Sequence, residues 1–199
     1  AAWWRRCRAS SRKAPAAARA SSIELRLADG RKVAAKMVGG DRATDLAVLR
    51  IAEALPVLGL APEPKLAQPV CAVGNQFGLG LSVTCGVVSA VHRTGTGFNR
   101  IEDFIQTDAA INPGASGGAL VDGNGRLVGI LSAIFTKKSD ANLGVNFAVS
   151  MRLVRRVTSD LIAFGAVRRG RIGVRLGNPP RNEARSGALV TKVMPGGAA

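Results

Sequence analysis

The sequence lacks several features that would place it in a special class of protein. No uninterrupted apolar run approaches the roughly 18 residues needed to cross a bilayer, so a membrane-spanning helix is excluded. The 24 glycines and 9 prolines follow no fixed period, which excludes a collagen-like chain. No apolar segment follows the early tryptophans and arginines, so no secretory signal is visible. With 47% apolar residues and a mean hydropathy of +0.15, the 199-residue chain is expected to be a soluble, turn-rich globular protein.

The cysteines are few, and their spacing is uninformative. There are three of them, an odd count without a Cys-x-x-Cys pair, which argues against a complete disulfide framework and against a zinc site. Cys71 and Cys85 lie within apolar runs and are predicted to be small core residues. Because the chain starts with alanine rather than methionine, a processed or truncated product is expected.

The net charge of +15 would ordinarily suggest a nucleic acid or an anionic membrane as partner, but its distribution does not. Residues 1–20 carry six basic side chains and no acidic one, and residues 151–199 carry ten against two. Residues 21–150 carry twelve against eleven, so the middle of the chain is nearly neutral. A nucleic-acid-binding protein is therefore the weaker interpretation, and basic solvated ends are the stronger one.

Short strand-like segments separated by turn residues predict an all-β body. Ile23 to Leu27 alternates in polarity, and Asp29-Gly30 then supplies the turn of a β-hairpin. One helix is predicted after Ser150 as N-cap, with its end at Gly165. The further predicted strands are Leu46–Ile51, Val70–Val73, Leu81–Val91, Phe104–Thr107, Ala119–Val121, Leu127–Ile134, Val145–Val149, Ile172–Leu176 and Gly187–Val193.

The segment Asn112–Gly118, which reads Asn-Pro-Gly-Ala-Ser-Gly-Gly, carries the chemistry. A nucleophilic serine needs an exposed hydroxyl on a tight turn, with backbone N–H groups converging on the oxyanion of the tetrahedral intermediate. Ser116 is flanked by backbone that can bend sharply, and the amides of Gly114 and Ser116 are the natural donors. A plain glycine-rich hairpin is the alternative that this motif alone leaves open.

Four blocks of the chain, in order, resemble the HtrA/DegP group of trypsin-like serine proteases. The resemblance implies a trypsin-like double β-barrel with an incomplete N-terminal barrel, one C-terminal helix and then a partial PDZ domain. It divides the chain into a disordered or non-native arm (1–20), a protease domain (21–165) and the start of the PDZ domain (166–199). The blocks are Ser22–Ile51, Val73–Val91, Phe104–Ile130 and Val145–Val157.

The resemblance also implies roles for individual residues. Ser116 becomes the nucleophile and Asp45 the carboxylate that orients the base. The floor of the substrate pocket becomes Ala110, with Ile111 beside it and Ile134 on the facing wall. Such an apolar pocket prefers small aliphatic side chains and rejects Arg and Lys. The nearby carboxylate of Asp108 is interpreted as structural, and Ala115 replaces the asparagine that usually precedes the serine.

The base histidine that the mechanism requires is not found where the resemblance places it. The family spacing puts it between Arg12 and Ala18, where the sequence has no histidine. The single histidine, His92, lies well downstream of Asp45 and is interpreted as a surface-loop residue. Lys13 as a substitute base has no support. A fragment boundary or displaced reading frame is the favoured explanation, and a genuine pseudoprotease is the alternative.

The resemblance extends weakly to the C-terminal end and to partners. Arg171, Ile172 and Gly173 resemble the loop that captures a C-terminal carboxylate in PDZ domains, with Val174 opening the strand that a peptide would augment. Unfolded or extended polypeptides are the implied substrates, and the cell envelope or periplasm is the implied compartment. No nucleic acid, metal or organic cofactor is implied. Members of the group often form trimers.

Overall fold

The computed structural model describes residues 23–27, 29–134, 144–170, 172–177 and 188–196, and the predicted arm (1–20) lies outside them. The chain divides into two compact units between Val167 and Arg168. In the described part of the chain, no helix has the length and apolar character that crossing a membrane requires. The first unit contains β1 (Ile23–Arg26), β2 (Lys32–Asp41), β3 (Leu46–Arg50), β4 (Pro69–Gly74), β5 (Ser82–Arg93), β6 (Phe104–Thr107), β7 (Ala119–Asp122), β8 (Leu127–Ile134), β9 (Asn146–Ser150) and α1 (Met151–Phe164).

Strands β1, β2 and β3 form an open antiparallel sheet in that order. The predicted hairpin is confirmed, with Ile23 opposite Ala35. Its turn is held by Asp29, whose carboxylate accepts a hydrogen bond from the Arg31 amide at 3.0 Å. Alternate residues face inward and bury one apolar cluster, as the period of a half-buried strand requires. That cluster contains Leu25, Leu27, Val33, Ala35, Leu49 and Ile51.

Strands β4 to β9 form a closed six-stranded barrel in the order β4-β5-β6-β9-β8-β7. Every neighbouring pair is antiparallel, so no strand of this barrel has a free edge. Its interior is filled by fully buried apolar side chains such as Val70, Ile105, Leu120 and Leu131. The expectation of a complete second barrel is therefore met, whereas the described residues before β4 form only three strands.

The prediction for the two barrel cysteines is wrong. Cys71 and Cys85 lie directly opposite each other on β4 and β5 and form a disulfide bond. Cys85 is exposed and Cys71 is half-buried, so neither acts as a small core residue. The apolar run around each cysteine was misleading because alternate residues of these strands face outward.

The predicted helix is confirmed at both ends. The Ser150 side chain accepts a hydrogen bond from the Leu153 amide at 3.2 Å, and Gly165 ends the helix with a φ of 72°. Its buried face includes Val154, Val157 and Leu161, which pack against Leu46 and the barrel strands. Helix α1 thus contacts both the open sheet and the closed barrel.

The second unit contains an antiparallel pair of strands, β10 (Val174–Gly177) and β11 (Leu189–Val193). The Gly173 carbonyl accepts a hydrogen bond from the Met194 amide at 2.6 Å, and Ile172 is exposed. Arg171, the third member of the predicted carboxylate-binding loop, lies outside the described residues. A partial PDZ domain stays a prediction.

Candidate active site

Ser116 lies on a double turn between β6 and β7. The Ala115 amide donates to the Asn112 carbonyl at 3.0 Å, and the Gly118 amide donates to the Ala115 carbonyl at 2.8 Å. The turn is fastened to β8 because the Gly117 amide donates to the Leu131 carbonyl at 2.8 Å. Ala115 is buried, whereas Ser116 is half-buried. The hydroxyl that was predicted to be exposed therefore belongs to a half-buried side chain, and its Oγ donates a hydrogen bond to the Ser132 carbonyl on β8 at 3.1 Å.

The backbone of this turn leaves two N–H groups unengaged. The Pro113 carbonyl accepts a hydrogen bond from the Phe77 amide at 2.7 Å. Since C=O and N–H point in opposite directions across a trans peptide, the Gly114 N–H points away from Phe77. Neither the Gly114 amide nor the Ser116 amide donates to any other described residue. An oxyanion site needs two such amides on the turn that carries the serine, so the two predicted donors are available for that role.

The connection between β4 and β5 supports this turn, and no sequence pattern predicted that support. The Gln76 side chain accepts from the Asn112 side-chain amide at 2.6 Å and donates to the Ala110 carbonyl at 3.4 Å. Gly114 has a φ of 97°, and a side chain there would collide with the Asn75 carbonyl and the Phe77 amide. Only glycine fits this position. No local pattern could have revealed these contacts, because they join segments more than 30 residues apart.

Asp45, the predicted triad carboxylate, ends the turn between β2 and β3. Its φ is 56°, in the left-handed region that a residue with a side chain rarely adopts. Burial raises the pKa of Asp45 to about 6. Among the described residues, none donates a hydrogen bond to its carboxylate. A half-buried carboxylate in this state is suited to accept a hydrogen bond from a cationic or N–H partner.

His92 does not serve Ser116. Its Nδ1 lies 2.9 Å from the Asp103 carboxylate and its Nε2 lies 3.0 Å from the Glu63 carboxylate. Asp103 also accepts hydrogen bonds from Ser150 and Arg152. Burial alone would raise the pKa of Asp103, but these bonds hold it below its ordinary value. The loop assignment of His92 is wrong, because β5 continues to Arg93, although the residue is indeed on the surface.

A cavity of about 230 Å³ lies beside His92 and contains none of the predicted site residues. Its lining includes Leu60, Glu63, Met151 and Arg152. The described residues contain no cluster of three or more His, Cys, Asp or Glu side chains that could hold a metal ion.

The predicted pocket residues have different surroundings. The Ala110 carbonyl accepts hydrogen bonds from Thr84 and Gln76, which fixes the backbone six residues before the serine. Ile111 is buried in the barrel core. Ile134 ends β8, next to residues 135–143, which lie outside the described residues. Asp108 accepts a hydrogen bond from the Val87 amide at 2.7 Å, in agreement with its structural interpretation. The pocket itself stays a prediction.

Comparison with known proteins identifies the family to which this chain belongs. A family model described as a trypsin-like peptidase domain matches residues 7–130. The chain belongs to the trypsin-like peptidase family. The match begins inside residues 1–20, and their interpretation as a disordered or non-native arm stays a prediction.

Within this family the chain is similar to HtrA-type proteins. It is 42% identical over 191 residues to the periplasmic serine endoprotease DegP of Salmonella typhimurium, an alignment that covers 90% of this chain and 40% of the relative. The HtrA-type protease AlgW, solved with a decapeptide, superimposes with a TM-score of 0.82 at 42% identity, covering 90% of this chain and 58% of that one. A serine endoprotease from Yersinia pestis gives a TM-score of 0.70 at 39% identity, covering 90% and 59%.

These matches confirm the resemblance and the trypsin-like fold. The chain spans about 40% of the length of DegP, so the activity of a whole relative does not pass directly to this chain. The roles predicted for Ser116, Asp45 and the amides of Gly114 and Ser116 stay predictions.

Proposed function

We propose that this chain is a serine endopeptidase of the HtrA type that acts on misfolded or extended polypeptides through an acyl-enzyme at Ser116. The observation that carries the proposal is the pair of unengaged amides of Gly114 and Ser116 beside the serine hydroxyl. The Phe77 amide supports it by holding the Pro113 carbonyl away from the amides. In a plain glycine-rich hairpin, the turn would be formed without a hydrogen bond from a distant segment.

Each group has one role in the proposed reaction. The Ser116 Oγ attacks the scissile carbonyl, and the carbonyl oxygen takes up negative charge between the two amides. The hydroxyl proton passes to a base that the Asp45 carboxylate orients, and the base gives it to the leaving amine as the C–N bond breaks and the acyl-enzyme forms. In trypsin-like peptidases that base is a histidine, and the only histidine of this sequence is engaged by Asp103 and Glu63.

The chain as it stands is therefore proposed to be inactive in a routine assay. In serine proteases, loss of the base costs on the order of 10⁶ in turnover and leaves about 10³–10⁴ over the uncatalysed rate. The proposed substrates carry small aliphatic side chains before the scissile bond, because the predicted pocket at Ala110 offers no carboxylate to Arg or Lys. The proposed compartment is the periplasm, as for the relatives whose names state it.

A peptide-binding module without catalysis is the second candidate. It is favoured by one observation: no described residue that could act as a base bonds to Ser116, whose hydroxyl lies against the Ser132 carbonyl. In this version the site would hold an extended peptide and would not acylate.

Rescue by free imidazole separates the two candidates. The substrate is a peptide p-nitrophenyl ester with valine before the scissile bond, and imidazole supplies the missing proton acceptor beside Asp45. The proposal expects imidazole to add a saturable hydrolysis rate to the wild-type chain. Ser116→Ala should show only the reaction of imidazole with the ester in solution, because it lacks the nucleophile.

Two variants in the same assay can reject catalysis at Ser116. Asp45→Asn should lower the added rate, since the asparagine cannot hold an imidazolium. Equal imidazole-dependent rates for the wild-type chain and Ser116→Ala would reject catalysis at Ser116 and favour the binding module. A casein assay without imidazole should show no difference between these two proteins.

A further inference from the structure

The loop between β5 and β6, residues 94–103, is organised around one carboxylate. Glu102 accepts hydrogen bonds from the Thr96 amide at 2.7 Å and the Thr96 hydroxyl at 2.8 Å. It also accepts from the amides of Phe98 at 2.9 Å and Asn99 at 3.0 Å. Burial by itself would raise the pKa of Glu102, but the bonds from Asn99, Thr96 and Phe98 hold it below its ordinary value. The loop therefore closes around an ionised carboxylate.

This loop is fastened to the barrel. The ring of Phe98 lies 6.5 Å from the ring of Phe104 on β6 and 5.6 Å from the ring of Phe147 on β9, measured between centroids. Phe104 and Phe147 are both buried. The aromatic contacts fix Phe98, in the middle of the loop, on the closed barrel. Glu102 fixes the backbone before and after Phe98, at Thr96 and Asn99.

The other side of the loop holds the turn that carries Asp45. The Asn99 side-chain amide donates to the Thr44 carbonyl at 3.2 Å, and the Ile101 amide donates to the Ala43 carbonyl at 2.8 Å. Thr44 is fully buried, and its hydroxyl donates to the Asp41 carboxylate at 2.6 Å. The two residues immediately before Asp45 are thus held by hydrogen bonds that begin on the β5–β6 loop.

Asp45 itself has little that fixes its conformation. Its backbone is in the left-handed region, which aspartate adopts more readily than most residues other than glycine. Its carboxylate accepts no hydrogen bond from a described residue. Its orientation must therefore be imposed by the turn, which is held by the pairing of Asp41 with Leu46 and, from outside the sheet, by the β5–β6 loop.

We propose that Glu102 and Asn99 are positioning residues that hold the Asp45 carboxylate in place, by clamping the β5–β6 loop against the β2–β3 turn. This inference rests on the proposed role of Asp45 as the triad carboxylate. Neither residue has a role in the reaction proposed above. Their contribution is to connect the barrel that carries Ser116 with the turn that carries Asp45.

The titration of Asp45 tests the clamp without any need for activity. In the wild-type chain, carbon-13 NMR of the Asp45 carboxyl should give a midpoint near pH 6, because burial is the cause of its raised pKa. Asn99→Ala removes the bond to Thr44 without changing any charge, so the turn should open to water. The midpoint should then fall toward the ordinary value of about 4. Glu102→Ala should do the same.

A matched control separates positioning from general stability. Asp122 clamps the β7–β8 turn in a similar way, accepting from the amides of Asn124 and Arg126 at 2.9 Å each, but it does not contact residues 43–45. Asp122→Asn should lower stability and leave the Asp45 midpoint unchanged. If Glu102→Ala does not fold, Asn99→Ala carries the test, since it removes one side-chain amide only.

Two results would overturn the inference. One is an Asp45 midpoint that is unchanged in folded Asn99→Ala, and the other is an equal fall in Asp122→Asn. Failure of the proposed function is seen separately, in the imidazole assay. A shifted midpoint together with no rescue at Ser116 would reject the peptidase and keep the clamp.

Discussion

The closed barrel holds Ser116 by many contacts of its own, whereas the open three-stranded sheet holds Asp45 by few. Ser116 and its two free amides lie on a barrel in which every strand is paired on both sides. Asp45 lies on a turn of a sheet that is open among the described residues, and its carboxylate has no described donor. The printed contacts of the Ser116 turn, which is the proposed oxyanion side of the site, all come from segments of the barrel. The carboxylate side depends on contacts from outside its own sheet.

The largest effect should come from truncating the barrel core. Leu131 is completely buried in the barrel, so Leu131→Ala should cost about 3–5 kcal/mol of unfolding free energy. Leu25 is 7% exposed in the open sheet, where neighbours can collapse into the space, so Leu25→Ala should cost about 2 kcal/mol. Urea unfolding of both variants measures the difference. A larger loss from Leu25→Ala would show that the sheet, rather than the barrel, is the stable region.

Removal of the disulfide should have the next largest effect. The bond closes a segment with a sequence separation of 14, for which the chain-entropy model gives about 3 kcal/mol. The double variant Cys71→Ser with Cys85→Ser should lose about that much stability in thermal or urea unfolding. Reduced wild-type protein should unfold like the double variant, and a reductant should not affect the variant further. Equal stability of oxidised and reduced wild type would contradict the bond's role.

The smallest of the three effects should come from Asp45 and should stabilise the protein. Its pKa rises on folding, so the folded state binds the proton more tightly than the unfolded state does. The resulting penalty is absent below pH 4, grows as the pH rises and is complete above about pH 6. Because the group is only half-buried, solvent screening reduces the penalty to about 1 kcal/mol. The free energy of unfolding of Asp45→Asn, measured by urea unfolding, should therefore exceed that of the wild-type chain by about 1 kcal/mol at pH 7.5 and should equal it at pH 3.5.

Asp29 in the same sheet is the control for that pH dependence. Hydrogen bonds from the Arg31 side chain and amide lower its pKa, so its contribution has the opposite sign. Asp29→Asn should lose stability at neutral pH, and the loss should disappear in strong acid as the carboxylate protonates. If both variants responded to pH in the same direction, the assignment of Asp45 as an unpartnered carboxylate would be wrong.

Local patterns predicted the elements whose signals are local. The β1–β2 hairpin followed from alternation and from Asp29-Gly30, and α1 followed from Ser150 as N-cap and Gly165 as its end. The Ser116 turn followed from its glycines, which allow positive φ at Gly114 and Gly117. Each of these features is specified by residues close together in the sequence.

Features that depend on distant partners were not predictable in the same way. The disulfide requires the register of β4 against β5, which places Cys71 opposite Cys85. The Phe77–Pro113 hydrogen bond joins two backbone groups from distant segments, and no side-chain pattern in the sequence indicates such a contact. The clamp at Glu102 accepts mainly backbone amides, so nothing distinguished it from an ordinary loop carboxylate. Tertiary contacts, rather than composition, decide these parts of the site.

We propose that the amides of Gly114 and Ser116 form an oxyanion site beside the Ser116 hydroxyl, and that the described part of the site lacks a proton acceptor. Mass spectrometry of the wild-type chain, treated with the valyl p-nitrophenyl ester and imidazole and quenched in acid, tests it most directly. One acyl group is expected, located on Ser116 by peptide mapping and absent in Ser116→Ala. Acylation that is absent, or that falls on other side chains and persists in Ser116→Ala, would contradict it.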